Sequence, residues 1–389
     1  MKHRKTHIIS GIVLICLTLV FLSLIFIVAP KVDKARNKVV PHKAYTVSKR
    51  AHALHDQLFI ADLHNDVLLW RRYPGREHDY GHSDLPRLKA GGVNLQTFSV
   101  VTKSPSGQNF AQNARSTPDN ITRLAIGQLW PPQTWGSLKE RALFQAWRLQ
   151  KLANMRRYNL VIIRNQADLR QLKEDQIGAI LAIEGAHALE GRLENIDHLY
   201  KAGYRMIGLQ HFFDNDLGGS LHGTDKSGLT DFGRAVVKEL SHRDIMIDVA
   251  HSSKAVVRDV LTLTDDPILI SHGGIYGNCQ KTRHRNLPDD LLKEIAQRGG
   301  IIGIGFFSPA LCDPSLKGIA QTITETVRLL GEDAVALGSD FDGSVTTHLD
   351  ASEFSALTQA LMDQGLEDKI IAKIMGENVR RFMAQTLPE

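Results

Sequence analysis

The sequence predicts an α/β protein: a closed (β/α)8 TIM-like barrel with an N-terminal transmembrane helix. Three observations carry this. Eight short apolar runs alternate with segments of helical periodicity; such alternation argues for a parallel sheet, and eight units argue for its closure. Six of the eight runs end on, or just before, a histidine or an acid, as in a barrel whose chemistry sits at the C-terminal strand ends. Ahead of them lies an uncharged apolar run of bilayer length, residues 8–29.

Residues 1–7 are short and basic, with Lys2, Arg4 and Lys5. The run that follows is long for a signal-peptide core, and Ile27 stands where a cleavage site wants a small residue. It is therefore expected to be an uncleaved anchor, with the large domain exported. Lys31, Lys34, Arg36 and Lys38 place charge on the far side as well, so the charge bias alone leaves the orientation open. Residues 30–54 read as a basic linker and a lead-in helix around 47–57. The polar part is expected either to lie along an anionic membrane surface or to be a plain solvated tether. Residues 55–389 form the barrel with its terminal helices.

The expected strands are 58–63, 93–101, 178–183, 205–210, 245–249, 267–271, 300–306 and 334–338. Helices are expected over 138–160, 193–202, 232–243, 253–263, 289–298 and 319–330, several with apolar residues at helical spacing, and 351–384 reads as closing helices. Residues 102–140 stretch the second unit, and so long a loop on a barrel is expected to cover the site. At 389 residues the chain has room for one barrel plus extras. Its net charge of +5 is concentrated before residue 51, which argues against nucleic-acid binding. Of three cysteines, Cys16 lies in the apolar run, so at most one disulfide, Cys279–Cys312, is available to the rest.

On a barrel these strand ends bring His64, Asp66, Glu184, His211, His251, His272 and Asp340 to one rim. His64 and Asp66 are two apart, so an extended chain points them to the same side. Imidazoles and carboxylates are hydrolytic-metal ligands. This many exceed the needs of one ion and suit two cations ~3.5–4 Å apart with a carboxylate between them. Asp342 is the second-choice carboxylate, better suited to a loop role. Asn65 and His187 are expected behind the ligands rather than on the metal. Gly218, Gly219 and Gly223 around Ser220 and His222 read as a flexible loop without a phosphate fingerprint.

From about residue 55 to 384 the chain resembles the renal (membrane) dipeptidase family, within the amidohydrolase superfamily of metal-dependent barrels. The matching pieces are D-L-H-N-D at 62–66, I-E-G-A-H at 183–187, L-Q-H-F-F-D-N at 209–215, I-D-V-A-H-S at 247–252, I-S-H at 270–272, R-N-L-P-D-D at 285–290 and G-S-D-F-D-G at 338–343. The resemblance implies a dipeptidase with two Zn2+ ions. His64, Asp66 and Glu184 would hold one ion, and Glu184 would bridge to a second completed by His251 and His272. Hydroxide between the ions would attack the peptide carbonyl. His211 would bind substrate and stabilise the oxyanion, Arg285 would read the substrate carboxylate, and Asp340 would move the proton. Arg283 and His284 adjoin Arg285, leaving a slip of two positions open. Dimerisation is common in that family. Animal members carry a C-terminal lipid anchor and disulfides, which this chain does not match; the segment after His211 looks more like bacterial members, leaving substrate range open. The alternatives are another amidohydrolase on the same barrel (an N-acyl-amino-acid or D-amino-acid-containing peptide hydrolase, or a lactonase) and a non-catalytic binding protein. H-x-D at the first strand, and Arg285, favour the dipeptidase.

Overall fold

The computed structural model describes residues 2–277 and 279–389. Eight parallel strands close into a barrel: β1 (Ile60–Asp62), β2 (Val93–Val101), β3 (Ile177–Glu184), β4 (Tyr204–Gly208), β5 (Met246–Asp248), β6 (Leu269–Gly273), β7 (Ile301–Ile304) and β8 (Val335–Leu337). Each overlaps one of the eight expected runs. β2 pairs with both β1 and β3, and β8 pairs with β1, so the ring has no free edge. Closure at this size leaves an interior that side chains fill.

Alternation along each strand separates two cores. Outward residues such as Phe98, Leu181 and Ile207 pack with Leu149, Val236 and Leu292 of the surrounding helices. Inward residues, including Ala61, Leu95, Met206, Leu269 and Ala336, meet Val379, Phe382 and Met383 of the last helix, Asn378–Thr386. That helix closes the end of the barrel opposite the strand C-termini. Burial of each such side chain contributes about 1.5–3 kcal/mol. Above this core the backbones approach closely: a Cβ at Gly303 or Gly338 would lie 2.1 or 2.0 Å from the Ser271 carbonyl oxygen.

Helix Leu138–Ala153 is shorter than the expected 138–160. Asn159 takes a left-handed conformation at φ 47°, and the apolar, partly β-branched triplet Leu160–Ile162 then pairs with β3 as an outer strand. The stretched second unit holds a helix, Asn120–Gly127, fastened from behind by buried Arg141. That guanidinium donates to the Thr102 carbonyl at 2.7 Å and to Asp119 at 2.6 Å. A disulfide joins Cys279 and Cys312.

The N-terminal helix runs through Lys2–Ser23, a π turn at Leu24–Val28, and on to Ala29–Arg36. It contains a mostly exposed stretch long and apolar enough to cross a membrane. The polar stretch after it is partly docked on the barrel. Ala29 and Asp33 are buried, Asp33 pairs with Arg72 at 3.3 Å, and Lys38–Val39 pairs in parallel with Thr346–Thr347. Asp33, hidden among basic neighbours, gave no periodic signal in the sequence.

Candidate metal centre

Each rim residue is delivered by the end of a strand. Leu63 continues the ladder by donating to the Leu337 carbonyl at 3.0 Å, and Asp66 N donates to the Phe341 carbonyl at 2.8 Å. These bonds fix His64 and Asp66 beside the β8 loop. Glu184 is the last residue of β3, His272 lies within β6, and His211, His251 and Asp340 follow β4, β5 and β8 by three residues each. His251 and Asp340 both have left-handed backbones, φ 63° and 61°. A left-handed backbone is uncommon outside glycine, although Asp and His enter it more readily than most residues, and such conformations cluster at functional sites.

Glu184 is the hub. Its Oε1 lies 3.0 Å from His251 Nε2, 3.2 Å from His272 Nε2 and 3.8 Å from His64 Nε2, and its Oε2 lies 3.4 Å from His211 Nε2. Asp66 and Asp340 approach His64 Nε2 at 3.5 and 3.9 Å. Ser271 Oγ sits 3.2 Å from His64 Nδ1 and 2.9 Å from His272 Nδ1. The Lys103 carbonyl lies 3.1 Å from His211 Nδ1. With Nδ1 occupied, these three rings turn Nε2 inward, as a ligand histidine requires.

The donors fit divalent cations. His64 Nε2 and Asp66 Oδ1 are buried without a hydrogen-bond partner, which is costly unless something else satisfies them. Three overlapping donor sets each lie within 4.8 Å: His64, Glu184 and His272; Glu184, His211 and His251; His64, Asp66 and Asp340. The electrostatics report the same shortage of positive charge. Burial would depress the His64 imidazole, but Asp66, Glu184 and Asp340 together push it up to about 10. Burial raises Glu184, and burial with the neighbouring carboxylates raises Asp340 well above its ordinary value. Burial and the Arg285 charge hold His251 well below the usual imidazole value, and His272 is lowered by burial and by His64 and Arg285.

Of the three basic candidates, Arg285 enters the site. Its Nη2 donates to the His272 carbonyl at 2.9 Å, while the buried Nε has no partner. Arg283 instead lies over the Tyr276 ring, and His284 is exposed. Asp342 faces away from the cluster, bound to Arg72 and Ser83. Asn65 bonds Ser83 and the Val67 amide, and His187 packs edge-on against Phe213; neither belongs to the donor sets. The Gly218–Gly223 segment is buried rather than flexible. Ser220 Oγ donates to the His211 carbonyl, Leu221 N donates to the His251 carbonyl at 2.7 Å, and His222 stacks on Phe212 at 4.6 Å. Ser271, Ser220 and the Lys103 carbonyl escaped sequence reasoning. Small hydroxyls and backbone oxygens carry no pattern of their own; only adjacency to His272 pointed at Ser271.

All this opens into a cavity of about 930 Å3, lined by Glu184, His211, His251, His272, Arg285 and Asp340 among others. The family model for membrane dipeptidase (peptidase family M19) matches residues 48–387. The chain belongs to that family. It is a metal-dependent dipeptidase, as the sequence motifs led one to expect. It is 29% identical over 370 residues to the dipeptidase aclJ of Aspergillus oryzae, covering 85% of this chain and 81% of that protein. A Rhodobacter sphaeroides metallopeptidase, solved with a phosphinate mimic of the dipeptide L-Ala-D-Ala, matches at 25% identity and TM-score 0.70 over 85% of this chain and 99% of its own. The probable dipeptidase PvdM of Pseudomonas aeruginosa, at 21% identity and TM-score 0.70 over 87% of this chain and 98% of its own, shares the fold.

Proposed function

We propose that this dipeptidase is anchored in a membrane by residues 8–29, holds two Zn2+ ions, and cleaves dipeptides on the exported side. The observation that carries the reading is the Glu184 carboxylate, 3.0–3.8 Å from four imidazole nitrogens. His64, Asp66 and Glu184 would hold one ion; Glu184, His251 and His272 would hold the other. Bound there, two cations supply Lewis acidity toward the scissile carbonyl and make water acidic enough to act as a nucleophile near neutral pH.

The side chains supply the rest. Five donors suffice for the ions with Glu184 shared, leaving His211 Nε2 to stabilise the tetrahedral oxyanion. Arg285 has a buried, unpartnered Nε for the substrate's C-terminal carboxylate, and a guanidinium binds that group with two parallel hydrogen bonds. Asp340 takes the proton from attacking water and passes it to the leaving amine. The disulfide and the basic residues ahead of the span agree with an exported domain.

The test is metal analysis of purified protein together with dipeptide hydrolysis before and after chelation. Two zinc ions per chain, loss of hydrolysis on chelation and its return with zinc are expected. Full activity in metal-free protein would sink the mechanism, and a single ion per chain would sink the binuclear centre.

A further inference from the structure

The cavity is larger than its proposed reaction needs. At about 930 Å3 it sits near the top of the roughly 300–1,000 Å3 that accommodate drug-sized ligands, and a dipeptide of small residues leaves much of it unfilled. Its outer wall is not made by the barrel alone. Val28, Ala29 and Val32 of the N-terminal helix line it together with Leu69, Ile121 and Leu124. The helix is fastened there by the Asp33–Arg72 pair, by Ser344 N donating to Asn37 at 2.9 Å, and by the Lys38–Val39 pairing. Yet Val28 and Val32 stay 43% and 39% exposed. They are apolar groups that docking has left uncovered, and they border the cavity.

The position of this wall assigns it to one end of the substrate. Arg285 bonds the backbone of β6. The helix is fastened to the segments after β1 and β8, and Ile121 and Leu124 belong to the segment after β2, which lies four strands from β6 in the ring of eight. With the carboxylate on Arg285 and the scissile carbonyl at the central Glu184 cluster, the N-terminal end of the substrate points toward the apolar wall. Val32 lies three residues past the apolar run, about 5 Å along a helix, so wall and membrane-spanning surface are continuous.

Resting on the dipeptidase reading, we propose that the preferred substrates are dipeptides whose N-terminal residue carries a long alkyl chain. That chain lies against Val28, Val32, Ile121 and Leu124 and runs toward the bilayer. An alkyl side chain or an acyl group on the amine would present the same chemistry.

The experiment uses the full-length, zinc-loaded protein in lipid nanodiscs. It compares kcat/KM for Ala-Ala, 2-aminodecanoyl-Ala and N-decanoyl-Ala-Ala, and titrates phosphinate analogues bearing the same chains by calorimetry. An advantage of at least about tenfold for one alkyl substrate is expected, mostly in KM, with a matching gain in analogue affinity. Which substrate shows it tells side chain from acyl group. Val32→Asp should bring the alkyl-to-methyl ratio to within about twofold of unity; Leu124→Gln should reduce it from the barrel's share of the same wall, with the sequence of the N-terminal helix unchanged. Equal kcat/KM for all three substrates, or an advantage that survives both substitutions, overturns the inference while leaving the dipeptidase reading intact. Failure to cleave or bind even the Ala-Ala pair overturns both.

Discussion

Asp340 and Asp342 stand two residues apart on one loop, both buried and both with left-handed backbones, yet their surroundings are opposite. Asp342 accepts from the amides of His82 and Ser83, from the Ser83 hydroxyl and from Arg72. Burial alone would raise it, but Arg72 and His82 hold it below the ordinary carboxylate value. Asp340 faces Asp66 and Glu184, with His64 and Arg285 as its nearest positive charge, and is held well above that value. One carboxylate is completed by the protein; the other needs something from outside. Perturbed groups with unmet charge are where catalytic sites form, and the contrast supports the catalytic role proposed for Asp340 over one for Asp342.

The contrast breaks most sharply in two substitutions. Asp340→Asn should lower kcat by ~10²–10⁴-fold, the range for losing a general acid–base. Its effect on the melting temperature of the metal-free protein should be nil or an increase, because a carboxylate crowded by its own kind has been removed. Asp342→Asn should do the reverse. It strips a buried guanidinium of one partner and should cost roughly 3–5 kcal/mol of stability, while kcat per folded molecule stays far closer to the parent. Thermal melts and titrated active sites measure both, and interchange of the two phenotypes would overturn the division.

Ser271 lies between the two kinds of environment, a structural hydroxyl that serves two of the proposed ligand rings. Ser271→Ala should weaken metal binding by ~10–100-fold, the usual cost of losing a partner behind a ligand histidine. Competition against a chelator of known affinity reads this directly. Unchanged affinity would mean that packing alone orients His64 and His272.

Much of the rim was legible in the sequence, for a physical reason. A parallel barrel strand buried on both faces reads as an apolar run, and a polar residue ending such a run has few places to go. His64, Asp66, Glu184, His211, His251, His272 and Asp340 were therefore visible, while the separate roles of His211 and Asp340 came from the family resemblance. Asp342 shows the limit. It shares the motif G-S-D-F-D-G with Asp340; the sequence ranks it second, but the reason, contacts with Arg72 and with Ser83 some 260 residues away, is visible only in the fold. The same holds for the outer strand Leu160–Ile162, whose three residues could have continued a helix until Asn159 turned left-handed, and for Asp33.

Asp33 also allows the smallest test, because it links the N-terminal helix to the Asp342 cluster through Arg72. Its carboxyl is raised to about 6 by burial, with Asp342 adding and Arg72 opposing. When the helix undocks, the carboxyl returns to water and to an ordinary value near 3.8. The docked state therefore binds the extra proton, and the cost of burying the ionised form is fully present above pH 6 and lost as pH falls toward 4. Docking should strengthen by about tenfold between pH 7 and pH 5. Hydrogen exchange of amides 31–37, corrected for intrinsic rates, should show that added protection at the lower pH. Asp33→Asn should dock with no such pH dependence, since Arg72 keeps Asp342. Protection that instead falls on acidification would mean the Asp33–Arg72 attraction outweighs burial, and that this second cluster is held together by charge rather than in spite of it.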